Sequence, residues 1–331
     1  MSDYYELPNG SSLKNRLVFA PISTMSSNAW GQLSSEELAF YTARSHYVGM
    51  LILGSATISP KGKAYENNVS IANDALIPNL KKYNRAVKKK GARSIIQLYH
   101  GGKAVTFLGK QKSVAVAVVS EKGDSKQHEL TDTDIQEILF DFGKAIVRAV
   151  KSGFDGVEIH AGNPFLIQEF LSPLSNQRQD RWGNRSYFLE QLLKLAAQIR
   201  AELAPTFIIG VRLAIEERAA GGLTVIDTAE IVAHISKLDI DYIHFNSDDA
   251  RESRVHFRAF QKAAGTVPII ANGGIKDTQT ITELLQKVPL VSVARPLILN
   301  AHFPNKGESG PIPPGLKASI AASKEWYYQQ P

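Results

Sequence analysis

The chain has 331 residues, with 44% hydrophobic residues, 21% charged residues and a formal net charge of +6 at pH 7. These values are ordinary for a globular protein with a sizeable core, and they argue against disorder. The absence of cysteine excludes disulfides, cysteine-ligated zinc, iron–sulfur clusters and thiol nucleophiles, so any redox chemistry must use a cofactor held in another way.

The N-terminal segment lacks the basic and apolar regions of a secretory leader, and no run of about 18 apolar residues occurs. We therefore expect a cytoplasmic protein with no membrane partner. The basic residues are dispersed except for Lys88 to Lys90, and a solvated helix face explains that run better than a nucleic-acid site does. We expect no nucleic-acid partner.

Short apolar runs alternate with amphipathic segments of helical period, which is typical of repeated βα units around a parallel sheet. The predicted strands are Leu17 to Ala20, Met50 to Leu53, Ser94 to Leu98, Gly156 to Ile159, Phe207 to Val211, Tyr242 to Phe245, Ile269 to Ala271 and Leu290 to Val293. Helices are predicted near residues 35–46, 77–91, 132–152, 186–203, 226–237, 255–265 and 277–286. Thr131 is a good N-cap for the third helix, with Asp134 three residues further on.

Eight such units without a linker predict one closed (β/α)8 TIM barrel over residues 1–331, and an open doubly wound sheet is the alternative. Residues 104–130 show little helical period, so we expect an excursion over the face where a barrel places its active-site loops. The tail from about residue 301 is rich in proline and glycine and then regains a helical pattern ending in Trp326 to Tyr328.

Polar residues follow the apolar runs, at the strand ends where a barrel gathers its functional side chains. They are Ser23, Ser55, Gln97, His100, His160, Asn163, Arg212, Asn272 and Arg295. Each has a structural explanation when taken singly. The glycine pair Gly273 and Gly274, with Arg295 after the next strand, favours a phosphate site. No compact carboxylate and histidine set suggests a metal, and no lysine at a strand end suggests a Schiff base.

Seven segments carry a resemblance to a known family: LKNRLVFAPIS, FYTARSHYVGMLILGSATISPKG, IIQLYHGGKA, AVKSGFDGVEIHAGNPFLIQEFLSPLSNQRQDRWGNR, GVRLAI, PIIANGGI and VSVARPLI. With these segments the chain resembles the old yellow enzyme family of FMN-dependent oxidoreductases over nearly its whole length. The resemblance implies a barrel that binds FMN at the carboxyl ends of its strands and uses NADH or NADPH as the reductant. It also implies a homodimer or homotetramer.

The resemblance assigns cofactor contacts to Pro21, Ile22, Ser23, Ser55, Gln97, Arg212, Asn272, Gly273, Gly274, Ala294 and Arg295. Ser55 and Gln97 would bind the pyrimidine edge of the flavin. Arg212 would lie near N1 and O2, where a cation stabilises the negative charge of the reduced cofactor. Gly274, Ala294 and Arg295 would hold the phosphate.

His160 and Asn163 match the pair that, in this family, hydrogen-bonds the oxygen of a substrate lying over the flavin. Two donors on one oxygen polarise the adjacent double bond for hydride transfer. We expect Met25 and Phe165 to contact the substrate together with this pair. The resemblance thus implies ping-pong hydride transfer from NAD(P)H to a small-molecule acceptor: an α,β-unsaturated carbonyl, a quinone or a nitro compound.

Two positions depart from the family pattern. Phe165 stands where a tyrosine usually donates a proton to carbon, so ene reduction would rely on water or on a hydroxyl such as that of Tyr99, or would be slow. The segment DRWGNR is also shorter than usual.

Among other FMN-binding barrels, dihydroorotate and dihydrouridine enzymes commonly use a cysteine as the active-site acid, and this sequence contains no cysteine. The alternative function is an FMN-binding barrel with a regulatory rather than a catalytic role.

Overall fold

The computed structural model describes residues 4–108, 113–116, 127–162, 164–247, 250, 253–308 and 310–327. The β-strands are β1 (Tyr5–Glu6), β2 (Ser12–Leu13), β3 (Leu17–Phe19), β4 (Met50–Thr57), β5 (Arg93–Tyr99), β6 (Ser113–Ala115), β7 (Gln127–Glu129), β8 (Gly156–Ala161), β9 (Ile208–Ala214), β10 (Tyr242–Asn246), β11 (Ile269–Ala271) and β12 (Leu290–Val293). The α-helices are α1 (Ser35–Ser45), α2 (Ile77–Lys88), α3 (Asp132–Ser152), α4 (Leu166–Leu171), α5 (Tyr187–Leu203), α6 (Val225–Ile235), α7 (Arg254–Ala264), α8 (Thr278–Leu285), α9 (Arg295–Leu299) and α10 (Pro314–Tyr327).

Eight parallel strands form a closed barrel, in the order β3, β4, β5, β8, β9, β10, β11 and β12. Each barrel strand pairs with the next one in this order, and β12 pairs with β3. The (β/α)8 prediction is confirmed, and each predicted strand is present. β4 and β9 extend past their predicted ends at Leu53 and Val211, because their later residues keep pairing with β5 and β10. Backbone pairing with a neighbour, rather than apolar composition, sets those ends.

The predicted helices form the outer layer of the barrel. The capping box of α3 is present as expected, since the Thr131 side chain accepts from the Asp134 backbone N–H and the Asp134 side chain accepts from the Thr131 backbone. Helices α4 and α9 were not predicted, because six and five residues are too few to show a helical period.

The amino-terminal end of the barrel is closed by the hairpin of β1 and β2. Leu7 and Leu13 join a buried apolar cluster inside the barrel, and the hairpin region is tied to the strand starts by hydrogen bonds from Asn9 to Thr206 and from Arg93 to Ser12. The barrel members of that cluster are Val18, Met50, Ile52, Ile95, Ile208, Tyr242, Ile270 and Leu290. This leaves the opposite end, where the strands finish, as the open face.

The predicted excursion at 104–130 contains a 3-10 helix at Gly102–Leu108 and the parallel pair β6 and β7. Residues 109–112 and 117–126 lie outside the described part of the chain. The helical pattern of the tail corresponds to α10, and Tyr328 lies outside the described residues. Within the ranges given above, no helix has both the length and the apolar character required to cross a membrane.

A buried arginine joins the first and last barrel helices. Arg44 of α1 is fully buried, and its Nε and Nη2 donate to the backbone oxygens of Leu297 and Ile298 in α9, at 2.8 and 3.1 Å. Its Nη1 donates to the Phe40 oxygen at 2.8 Å, and the guanidinium lies 3.7 Å from the centroid of the Phe40 ring. The last carbonyls of a helix lack partners within the helix, so Arg44 supplies donors that α9 needs.

We expect Arg44→Lys to lower the free energy of unfolding by about 2–4 kcal/mol, because an ammonium cannot reach these separated carbonyls and leaves buried acceptors unpaired. Urea unfolding followed by circular dichroism measures this. The control is Arg85→Lys on the exposed side of α2, which should change stability by no more than about 0.5 kcal/mol. Equal stability of the two variants would contradict the prediction.

Candidate active site

A cavity of about 260 Å³ opens at the carboxyl ends of the barrel strands. Its lining residues are Pro21, Ser23, Met25, Ser55, Tyr65, Gln97, His160, Pro164, Phe165 and Arg212. Among these, Tyr65 and Pro164 were not predicted from the sequence. The other members come from segments that follow or end β3, β4, β5, β8 and β9, so strand closure gathers them at one place.

The other predicted site residues are not among these lining residues. Asn163 falls outside the described residues. Ile22 is half-buried, and its backbone oxygen accepts from Tyr41 Oη at 3.3 Å. The remaining predicted cofactor contacts follow the neighbouring strands β11 and β12, and they are Asn272 and the proposed phosphate residues Gly273, Gly274, Ala294 and Arg295.

The backbone after β11 requires glycine. Gly273 has φ of 125° and Gly274 has φ of 57°, and both values disfavour residues with a side chain. A Cβ on Gly273 would lie 2.2 Å from the backbone oxygen of Ser247. Because β11 pairs with β12, this glycine segment and the exposed Arg295 follow neighbouring strand ends, which is compatible with an anion such as a phosphate there.

Arg212 places a buried cation in the wall of the cavity. Its Nη2 donates to Asn246 Oδ1 at 2.9 Å and to Asn272 Oδ1 at 3.4 Å, whereas its Nε is buried and has no hydrogen-bond partner among the described residues. Burial lowers the pKa of Arg212 and the Glu158 carboxylate opposes that shift, so the guanidinium keeps its charge. A buried N–H without a partner is costly, and a ligand acceptor at this position would satisfy it.

Gln97 is held by a carboxylate behind the cavity wall. Its Nε2 donates to Glu158 Oε1 at 2.7 Å, so its Oε1 is available to accept from a ligand N–H. Together, an amide acceptor and a cation with an unused donor suit the alternating N–H and carbonyl groups of a flavin edge. Hence the residues present fit FMN.

Glu158 belongs to a buried chain of hydrogen bonds, which we call the interior network. Its Oε2 accepts from His244 Nδ1 at 2.9 Å, and His244 Nε2 accepts from Ser292 Oγ at 2.7 Å. Ser292 Oγ in turn accepts from Asn272 Nδ2 at 2.9 Å. Glu158, His244 and Ser292 are fully buried. The network therefore runs from Gln97 to Asn272, the residue that also accepts from Arg212.

The charges of this network follow from its contacts. Burial opposes ionisation of Glu158, but His244, Arg212 and Gln97 together lower its pKa below the ordinary value. Burial lowers the pKa of His244, with Arg212 adding to the effect and Glu158 opposing it. Glu158 is thus a carboxylate and His244 a neutral imidazole that donates from Nδ1.

His160 presents a neutral imidazole to the cavity. Burial, Arg212 and His244 lower its pKa well below 6.5. Its Nδ1 accepts from the backbone N–H of Gly162 at 3.3 Å, so the ring proton is on Nε2. His160 is therefore a hydrogen-bond donor through Nε2 and carries no charge at neutral pH.

Aromatic rings form the wall beside His160. The Phe165 ring centroid lies 4.8 Å from that of His160, 4.7 Å from that of Tyr99 and 6.3 Å from that of Tyr65. Tyr99 is fully buried, and its hydroxyl accepts from Ala64 N and Asn68 Nδ2 at 3.3 and 3.4 Å. Tyr65 is half-buried and lines the cavity. The tyrosine at the cavity is thus Tyr65 rather than Tyr99.

Sequence reasoning missed Tyr65 and the interior network. Glu158 lies two residues before His160 in the same strand, and residues two apart face the same side, so it could have been placed beneath His160. His244 and Ser292 are the polar residues within the apolar runs YIHF and LVSV. Tyr65 is in the loop after β4, where no periodic pattern indicates its direction.

Comparison with known proteins identifies the family of this chain. Residues 7–311 match the NADH:flavin oxidoreductase / NADH oxidase family. The chain belongs to this family. It is 33% identical over 325 residues to the probable NADH-dependent flavin oxidoreductase YqiG of Bacillus subtilis, covering 92% of this chain and 87% of that protein. As a member of this family, the chain described here is an oxidoreductase that uses FMN, with NADH or NADPH as the reductant, and acts on small molecules.

Two further relatives bear on the fold and on chain length. The chain is 36% identical over 251 residues to the NADH:fumarate oxidoreductase of Klebsiella pneumoniae, which covers 73% of this chain but 27% of that longer protein. The solved structure of the old yellow enzyme homologue from Zymomonas mobilis has a TM-score of 0.78 at 24% identity, covering 92% of this chain and 90% of that one. The likeness to the Zymomonas mobilis structure shows that the two chains share a fold.

We expect His160→Ala to slow reoxidation of the reduced enzyme by its acceptor about 10²-fold, the usual effect of losing one positioned donor. Because burial holds the pKa of His160 well below 6.5, the wild-type rate should show no inflection from this group near pH 6.5. Anaerobic stopped-flow traces between pH 5.5 and 8 measure both. His256→Ala, on the outer helix α7, is the control. A rate that tracks protonation of His160 near pH 6.5 would contradict the assignment.

Proposed function

We propose that NADH or NADPH and an oxidising small molecule occupy the same cavity in turn, so that the reaction is of the ping-pong type. When bound, FMN supplies the chemistry of accepting hydride from the nicotinamide and passing it to the second substrate. Gln97, Ser55 and Arg212 would hold and orient the ring system, and the segments after β11 and β12 would hold the phosphate.

One observation carries this proposal. A buried cation with an unpartnered Nε and a neutral imidazole with its proton on Nε2 line the same cavity. Arg212 suits the cofactor side, because it stabilises negative charge at a buried position. His160 suits the substrate side, because an uncharged N–H donor polarises a carbonyl, quinone or nitro oxygen without giving up its proton. Asn163 is the predicted second donor.

Phe165 directs the choice of acceptor. Its ring packs beside His160, where the family resemblance implies a tyrosine that protonates carbon. The Tyr99 hydroxyl is buried and accepts two hydrogen bonds, which leaves Tyr65 as the phenol hydroxyl in the described cavity lining. We therefore propose quinones and nitro compounds as the better acceptors, since their oxygens take protons from solvent. Ene reduction would be slower and would depend on Tyr65.

The test follows reoxidation of the NADH-reduced enzyme by a quinone and by 2-cyclohexenone in separate anaerobic mixing experiments. Wild type should react fast with the quinone and slowly with the enone. Phe165→Tyr should accelerate the enone reaction about 10²-fold, because it restores a positioned general acid, and should change the quinone rate little.

Tyr65→Phe is the matched variant, and it should slow the enone reaction further while sparing the quinone. Equal enone and quinone rates in wild type would contradict the proposed acceptor preference. A flavin that NADH and NADPH both fail to reduce would instead support the alternative of a regulatory FMN-binding barrel.

A further inference from the structure

The interior network is an unusual filling for a barrel. The layers inside a (β/α)8 barrel are normally branched apolar side chains, and the layer nearer the hairpin follows that rule with Val18, Ile52 and Ile95. At the next level toward the cavity stand an ionised carboxylate and an imidazole, neither of them exposed. A charge buried in this way does not explain stability, because its desolvation is costly. The interior network lies behind Gln97 and Arg212, which line the cavity, and this position indicates that the network serves the cavity.

The donors of the network all point toward one carboxylate. Gln97 Nε2 and His244 Nδ1 donate to the two oxygens of Glu158, and Ser292 donates to His244. The groups facing Glu158 come from three strands: Gln97 from β5, Arg212 from β9, and His244 with Tyr242 from β10. Tyr242 is uncharged, because burial and Glu158 raise its pKa well above 10. Glu158 therefore keeps its negative charge within a largely neutral setting, with Arg212 as the cation.

We propose that Glu158 is a positioning residue that orients Gln97 toward the flavin and whose negative charge lowers the reduction potential of the bound cofactor. The orientation follows because the carboxylate accepts only from the Nε2 side of the Gln97 amide. The effect on potential follows because hydride reduction adds negative charge to the flavin, and a fixed buried anion opposes that charge. Arg212 acts in the opposite direction, so the two side chains set the potential together.

This inference rests on the proposed contacts of Gln97 and Arg212 with the flavin. Its first test is Glu158→Gln, which removes the charge but keeps an oxygen that can accept from Gln97 Nε2. We expect the equilibrium constant for reduction to rise tenfold or more, which for a two-electron couple is about 30 mV per tenfold. Dye equilibration against spectra of the holoenzyme measures the midpoint potential without NAD(P)H or an acceptor.

The matched control is Asp241→Asn. Asp241 is also a buried carboxylate with an arginine partner, Arg200, at 2.8 Å, but it lies at the amino-terminal end of β10. Its loss should lower stability and leave the potential unchanged. A shift in Glu158→Gln no larger than that in Asp241→Asn would overturn the proposal.

The second variant of the network is His244→Gln, which keeps the residue polar and removes the imidazole that favours ionised Glu158. The pKa of Glu158 should then rise, because its burial remains and a favourable partner is lost. The midpoint potential should approach that of Glu158→Gln at acid pH and that of wild type at alkaline pH. This added pH dependence should vanish when both substitutions are combined, and its persistence there would overturn the proposal.

Variants of the flavin contacts separate this inference from the proposed site. Arg212→Met should weaken FMN binding and lower the potential, as measured by fluorescence titration of apoprotein with FMN and by dye equilibration. If Arg212→Met changes neither, the site assignment fails. If it changes both while Glu158→Gln leaves the potential unchanged, the role of Glu158 alone is wrong.

Discussion

Two hydrogen bonds from side chains of different strands meet on the carboxylate of Glu158, one from Gln97 of β5 and one from His244 of β10. A charge buried at this depth is tolerated only when its oxygens are paired, so Glu158 constrains the rotamers of both donors. Gln97 forms part of the cavity wall, and His244 leads through Ser292 and Asn272 to Arg212. The polar side of the site is thus one connected unit within the barrel.

The two sides of the cavity differ in their electrostatics. On the polar side, Arg212 remains charged and has a buried donor, Nε, that finds no partner in the described part of the chain. On the aromatic side, His160 is neutral and packs against Phe165, and burial also raises the pKa of Tyr65. A low dielectric around these groups strengthens the field of the cation at a bound ring and keeps the imidazole a donor without charge. In the proposed function, the polar side is the cofactor side and the aromatic side is the substrate side.

The rest of the fold supports this arrangement from below and from outside. The hairpin residues Leu7 and Leu13 close the amino-terminal end with apolar contacts, which confines the polar residues of the interior to the upper part of the barrel. Arg44 ties α1 to α9, the short helix that begins at Arg295. A single buried side chain therefore fixes the backbone near the proposed phosphate segment relative to the first barrel helix.

The apolar runs and helical periods of the sequence were sufficient to predict the eight barrel strands and the seven longer helices around them, because burial of one face repeats along the chain at a fixed spacing. They also predicted most of the cavity lining, since a closed parallel barrel brings all strand ends together whatever the details of packing. The interior network was decided by the tertiary structure alone. Glu158 and His244 are 86 residues apart and meet only when β8 and β10 curve around the same interior. The cavity position of Tyr65 likewise depends on how a loop without periodic pattern folds back over Phe165, and the charge states of His160 and Glu158 depend on the neighbours that this folding supplies.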